Sequence, residues 1–342
     1  MPHRFAAVTT LLSLIAFPLA ARDVANHSQA GGGDKLLHIF TGRPDGSISS
    51  GGALVADRAG NLYGTTIFGG TGSCRWRGHL LGCGTVFELT PTPSGGWTEH
   101  ILYSFKDTGN GIEPYGTVTL GASGQIYGVT SAGGNAGCIP RWGQPGCGTA
   151  FELTPHLGGA WTESILHVFS GAADGGYPDS NLVADAAGNL YGTAYWDGGN
   201  PACKQSEGCG VVFELNRPSP GGSWTESLLH TFSGQGHGAL RLAGLTIDAA
   251  GRLYGTAANG GDLTCNSGSG CGVAFVLVRS SATSWTEHVL HAFEDDPSDG
   301  GMPASGLFRD TAGRLYGTTQ HGGFGGAGGL GTVFEISQNT HR

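Results

Sequence analysis

The sequence predicts an all-β protein, a five-bladed β-propeller of four-stranded blades closed by its N-terminal strand. Three observations carry that expectation. One unit recurs five times, its apolar runs are all strand-length, and the marker missing from the last copy stands ahead of the first. Nothing in the units has the 3.6-residue period a helical solenoid needs.

Three markers define the unit. Asn61-Leu-Tyr-Gly-Thr-Thr66 returns around Tyr127, Tyr191, Tyr254 and Tyr316, and Gly84-Thr-Val-Phe-Glu-Leu89 returns around Phe151, Phe213, Phe275 and Phe334. The third, Trp-Thr-Glu and an apolar stretch ending in Phe, begins only at Trp97, Trp161, Trp224 and Trp285. In the first unit the four apolar runs are 53–57, 62–66, 85–89 and 97–105. The turn Asp57-Arg-Ala-Gly-Asn61 between the first two suits a hairpin, because Asp accepts backbone hydrogen bonds and Gly60 tolerates a left-handed backbone. It recurs at Asp185, Asp248 and Asp310. Four antiparallel strands about every 60 residues read as propeller blades.

Closure follows from the missing marker. Leu36-Leu-His-Ile-Phe40 matches Ile165-Leu-His-Val-Phe169, the end of a fourth strand, while the last copy stops after its third strand at Glu335-Ile336. An N-terminal strand completing the last blade would remove the open sheet edge. The expected organisation is a propeller over 35–338, preceded by a signal peptide (1–21) and a flexible leader (22–34), with a short tail at 339–342. The first 21 residues carry His3-Arg4, an apolar run from Phe5 to Leu19 broken by Pro18, and Ala20-Ala21. That run is shorter than the ~20 apolar residues of a membrane span and has the layout of a cleaved export signal. A secreted or periplasmic monomer, off the membrane after cleavage, is expected.

The eight cysteines fall in four close pairs at one place in their units: Cys74/Cys83, Cys138/Cys147, Cys203/Cys209 and Cys265/Cys271. Such pairs predict local disulfides in an oxidising compartment rather than zinc sites, for which four ligands would have to converge. The net charge of -9 comes without any Lys/Arg cluster, which removes nucleic acid as a partner.

The string Gly-Asn-Leu-Tyr-Gly-Thr-Thr, then Gly-Gly, then Gly-Thr-Val-Phe-Glu-Leu, resembles the tandem repeat called GloVer, found in exported bacterial proteins. The resemblance covers essentially the whole mature chain and implies export but no established activity. Many members carry a C-terminal surface anchor, a pattern from which this sequence departs by ending at Arg342.

Candidate chemistry lies where the units disagree. In a blade, the loops from strand two to three and from strand four to the next blade share one face, and here the former are long Gly-Gly inserts holding the cysteines. Trp76, Trp142 and Trp196 all fall in these inserts, with Arg75, Arg77, Arg141 and Tyr195 nearby. Exposed aromatics flanked by hydrogen-bonding groups suit a sugar ring; the alternative is that each Trp covers its own disulfide. Glu113, His237 and Arg241 break the repeat close to the axis and complete the candidate set. The recurring Trp97, Trp161, Trp224 and Trp285 read as blade packing.

No catalytic residues are nominated. Glu88, Glu152, Glu214 and Glu335, like Glu99, Glu163, Glu226 and Glu287, occur in most blades, whereas acid–base catalysis needs carboxylates in distinct environments. A hydrolase or lyase would need its set from strand one, which offers Glu113, Asp179 and the His237/Arg241 pair. The strand-four histidines His38, His167, His230 and His291 are expected to pack with one hydrogen bond each, too far apart around the rim to share a metal. Ca²⁺ could meet the loop carboxylates Asp45, Asp174 and Asp299, but single Asp-Gly pairs fall short of six to eight ligands. The reading is therefore a binding module for a glycan or an extracellular protein without a cofactor, with a structural or adhesive role as the further alternative.

Overall fold

A computed structural model describes residues 35–337, except 51, 107–108, 135–136, 139–143, 197–208, 235–237, 266–267 and 324–328. The expected signal peptide, leader and tail lie outside the described residues. The compact body begins at His38. It is a five-bladed propeller of antiparallel sheets, and no helix among the described residues is long and apolar enough to cross a membrane.

Blade one runs through Gly46–Ser49, Leu62–Gly69, Thr85–Pro91 and Trp97–Ser104, and blade two through Ile112–Leu120, Ile126–Ala132, Thr149–Pro155 and Trp161–Val168. In blade three Val183–Ala184, Leu190–Ala194, Val211–Asn216 and Thr225–Thr231 follow in order, and in blade four Ala239–Leu242, Leu253–Asn259, Val273–Arg279 and Trp285–Ala292. Blade five comprises Gly301–Pro303, Leu315–His321 and Thr332–Ile336. Innermost strands begin earlier than the sequence suggests, at Gly46 rather than Ala53 in blade one, because the residues after Asp45 already pair with Leu62–Gly69.

The repeated residues hold each blade together. Asp57 caps its hairpin by accepting from the backbone of Ala59 and Asn61 at 2.8 and 2.9 Å, and the Tyr63 hydroxyl donates to Asp57 and to Glu88 of the next strand. Tyr191, Asp185 and Glu214 repeat the trio, so these carboxylates are structural. The glycine after each of these tyrosines is there for close approach: a Cβ on Gly64 would sit 2.6 Å from the Phe87 ring, and one on Gly192 2.6 Å from Phe213.

Between blades, the Phe ending each fourth strand meets the strand-three Phe of the next blade edge to face. The centroid distances are 5.2 Å for Phe105–Phe151, 5.1 Å for Phe169–Phe213 and Phe232–Phe275, and 5.0 Å for Phe293–Phe334. Burying each ring is worth about 1.5–3 kcal/mol. Trp224 against Tyr127 and Trp285 against Tyr191 add to these seams, as expected of the repeat tryptophans.

The N-terminal segment takes the closing place through its side chains. Phe40 meets Phe87 at 5.1 Å, as each closing Phe meets the next blade. The strand ladder expected between residues 36–40 and Thr332–Ile336 does not form among the described residues. Val333 is accordingly 80% exposed where its blade-one counterpart Val86 is fully buried.

Candidate functional site

The insert disulfides turn inward. Cys74–Cys83, Cys138–Cys147 and Cys265–Cys271 are bonded, with Cα atoms 5.0, 5.2 and 5.8 Å apart. Cys209 is also disulfide-bonded, and its expected partner Cys203 lies outside the described residues. Rather than stapling an outer face, the first two bridges sit in the apolar clusters that glue a blade to its successor, Cys74 and Cys83 with Phe105, Ile112 and Phe151, and Cys138 and Cys147 with Phe169 and Tyr177. In these three bridges the carbonyl of the second cysteine accepts from the leading segment of the next blade: Glu113 N–H to Cys83 at 2.9 Å, Tyr177 to Cys147 and Met302 to Cys271 at 2.7 Å. These three donors share a left-handed backbone, φ 57°, 53° and 52°, costing about 1–3 kcal/mol each at non-glycine residues.

Beside the first of these ties lies a cavity of about 270 Å³ between blades one and two. Ile48, Ile67, Phe68, Ala132 and Trp76 give it apolar walls, and Glu113, Tyr115, Ser131 and Asp179 supply its polar groups. Tyr115 and Asp179 also line a wider cavity of about 680 Å³ bordered by all five blades, so the pocket opens towards the propeller axis. Trp76 sits on a short hairpin of Arg75–Trp76 and His79–Leu80, and the Arg77 guanidinium stacks 4.6 Å from its ring. Arg75 donates to the Gly78 carbonyl, while its own carbonyl accepts from Gln144 of the neighbouring insert at 2.6 Å. The hairpin is thus held on both sides, which fixes the indole over the pocket.

Of the residues expected to form a site, the structure brings together Trp76 and Glu113. Trp196 lies two residues past strand two of blade three, where it bridges Gly176 and packs edge to face on Tyr177 at 5.5 Å. Its neighbour Tyr195 is buried in the same cluster. Both belong to the seam between blades two and three, whereas Trp76 lines the pocket between blades one and two. Arg241 lies in the strand Ala239–Leu242, and Arg141, Trp142 and His237 fall outside the described residues. Sequence reasoning missed Phe68 and Tyr115, although Phe68 stands where blade two has Ala132, a readable disagreement between units.

The loop aspartates and Trp-Thr-Glu carboxylates also turn into the seams. His167 meets Asp174 at 3.2 Å and His291 meets Asp299 at 2.6 Å, each by a hydrogen bond, and His230 lies 3.4 Å from Glu287. Where blade one carries Tyr103 in place of His, its hydroxyl donates to Glu163 at 2.7 Å. Burial pushes the carboxyls of Glu163 and Glu226 up. Burial, reinforced by Asp45, pushes Glu99 up to about 7. Against the burial that would raise it, hydrogen bonds from Thr41 and Gly46 hold Asp45 below its ordinary value.

The Gloeobacter/Verrucomicrobia repeat matches residues 26–267, a span that takes in the first four Tyr-Gly markers. The chain belongs to this repeat family. In this Gloeobacter/Verrucomicrobia-repeat chain the conformity of the units accounts for the blade interior, while the pocket is made by residues that depart from them. A comparison with curated proteins gave no match. Among solved structures, the chain is similar to the Hadza microbial sialidase Hz136 at 13% identity and TM-score 0.44, over 79% of this chain and 52% of that one, so it spans about half the sialidase's length. It is also similar to an alpha-L-arabinofuranosidase from Lactobacillus brevis, at 11% identity and TM-score 0.44 over 86% and 92% of the two chains.

Proposed function

We propose that this protein is an exported binding module that holds a terminal sugar of a glycan in the pocket between blades one and two. The observation that carries the reading is the indole of Trp76 over a cavity of about 270 Å³ that also contains Glu113 and Asp179. An apolar ring face and hydroxyl acceptors in one small recess suit a pyranose, which presents C–H groups on its face and hydroxyls at its edge. The volume, just under the usual range of about 300–1,000 Å³, accommodates one ring rather than a chain. Bonded disulfides support export to an oxidising compartment. Screening the purified chain and its Trp76→Ala variant on a glycan array tests the proposal. It is supported if the intact chain retains specific glycans that the variant does not, and overturned if both give the same pattern or neither binds.

A second reading rests on Glu113 and Asp179 sharing that pocket, since paired carboxylates cleave glycosidic bonds. It requires release of reducing sugar from a bound glycan, abolished by Glu113→Gln or Asp179→Asn while binding persists.

A further inference from the structure

His38, Asp45 and Glu99 converge where the N-terminal segment meets blade one, their ligand atoms all within 4.8 Å of one another. We propose that these three side chains bind one Zn²⁺ ion, which clamps the closing segment onto the first blade. This site is separate from the sugar pocket and stands whether or not that reading holds.

The geometry differs from that of the seams at His167 and His291, while the His230–Glu287 pair shares the wider spacing at 3.4 Å. His38 Nε2 lies 3.5 Å from Asp45 Oδ2 and 3.5 Å from Glu99 Oε2. Those separations exceed the ordinary N–H···O range of about 2.7–3.2 Å. Tetrahedral zinc, with bonds of about 2.0–2.2 Å, sets its ligand atoms roughly 3.3–3.6 Å apart, which matches the two separations made by His38. At the corresponding places His167 and His291 instead bond their aspartates directly. The second observation is independent of spacing: His38 Nε2 and Glu99 Oε1 are buried and have no hydrogen-bond partner among the described residues. A buried imidazole nitrogen left without a partner is costly unless something bonds it, and a cation held at Nε2 satisfies it.

The charge and chemistry agree. Two carboxylates, 84% and 88% shielded from solvent by side-chain area (16% and 12% exposed), face one histidine. Their only ion-pair partner recorded among the described residues is that histidine. A nitrogen with two oxygens is a donor set for zinc, whose fourth position water can fill, and it is far too small a set for Ca²⁺. No other group of three metal-ligating side chains converges in this way among the described residues. The consequence is structural: the ion would link the segment before the first blade to that blade's leading loop and its outer strand, where the ladder to blade five is not formed.

The test uses the whole exported chain, stripped with a chelator and titrated with Zn²⁺, Mn²⁺ and Ca²⁺ in turn, following heat of binding and melting temperature. The account expects one Zn²⁺ per chain, a higher melting temperature with zinc, and no saturable Ca²⁺ site. Glu99→Gln, which keeps size and removes the ligand, should weaken zinc by at least about tenfold. His38→Ala should do the same, whereas His167→Ala should leave zinc binding intact. Should His38→Ala fail to fold, Glu99→Gln and Asp45→Asn decide. The proposal is overturned by absence of a saturable zinc site, by unchanged affinity in Glu99→Gln, or by equal loss in His167→Ala.

Discussion

The backbone N–H of Glu113 donates to the carbonyl of Cys83 at 2.9 Å, across the seam between the first two blades. A carboxylate of the candidate pocket is therefore positioned by the disulfide of the preceding blade. The same tie recurs between Tyr177 and Cys147 and between Met302 and Cys271.

Removing one bridge should cost more than its short loop implies. The nine-residue separation of Cys74 and Cys83 gives a chain-entropy stabilisation below the roughly 3 kcal/mol of a 15-residue loop. Both cysteines are also core residues of the seam. The double variant Cys74→Ala/Cys83→Ala is expected to lose about 4–5 kcal/mol in guanidinium chloride denaturation. A loss of about 1 kcal/mol or less would mark the bridge as a surface staple after all.

Trp76 and Trp196 should separate site from scaffold. Trp196→Ala removes an indole packed on Tyr177 and the buried cluster around it and should cost about 3 kcal/mol. Trp76→Ala should cost about 1 kcal/mol or less, since the indole rests on a two-strand hairpin at the pocket rim. Equal losses in the two melting temperatures would contradict the assignment.

Truncation tests the closing segment. Deleting residues 22–33 should leave the melting temperature nearly unchanged, while deleting 22–40 removes His38 and Phe40, the partners of Glu99 and Phe87, and should lower it sharply. Two truncations with the same melting temperature would rule out a structural role for the segment.

The blade framework was legible because these repeated residues act within their own unit: Asp57 caps its own hairpin, Tyr63 reaches the next strand, and Cys74 finds Cys83. The seams were not. Glu99 looks like one more repeated carboxylate until folding sets it beside His38, and Trp196 looks like a free loop residue until folding packs it on Tyr177. The pocket was half legible. Trp76 and Glu113 stand out by breaking the repeat, but only the left-handed backbone at Glu113, a property side-chain identity does not announce, turns that residue into the recess.

Seam carboxylates give a pH dependence of definite sign. Burial raises the folded-state pKa of Glu163 above its ordinary value of 4.5. Its contribution to stability is then fully present below that ordinary value and is lost as pH rises through the raised one. The difference in denaturation midpoint between the native chain and Glu163→Gln should therefore shift in favour of the variant from about pH 4 to about pH 8. A constant difference, or a shift the other way, would contradict this.

The central claim is that ligand contacts Trp76. The chain has seven tryptophans, and their indole N–H resonances can be assigned by single substitution and followed while a glycan retained on the array is titrated. The account predicts that the Trp76 resonance shifts saturably while those of Trp97, Trp161, Trp224, Trp285 and Trp196 stay in place. A saturable shift confined to the others, with Trp76 unmoved, would contradict it.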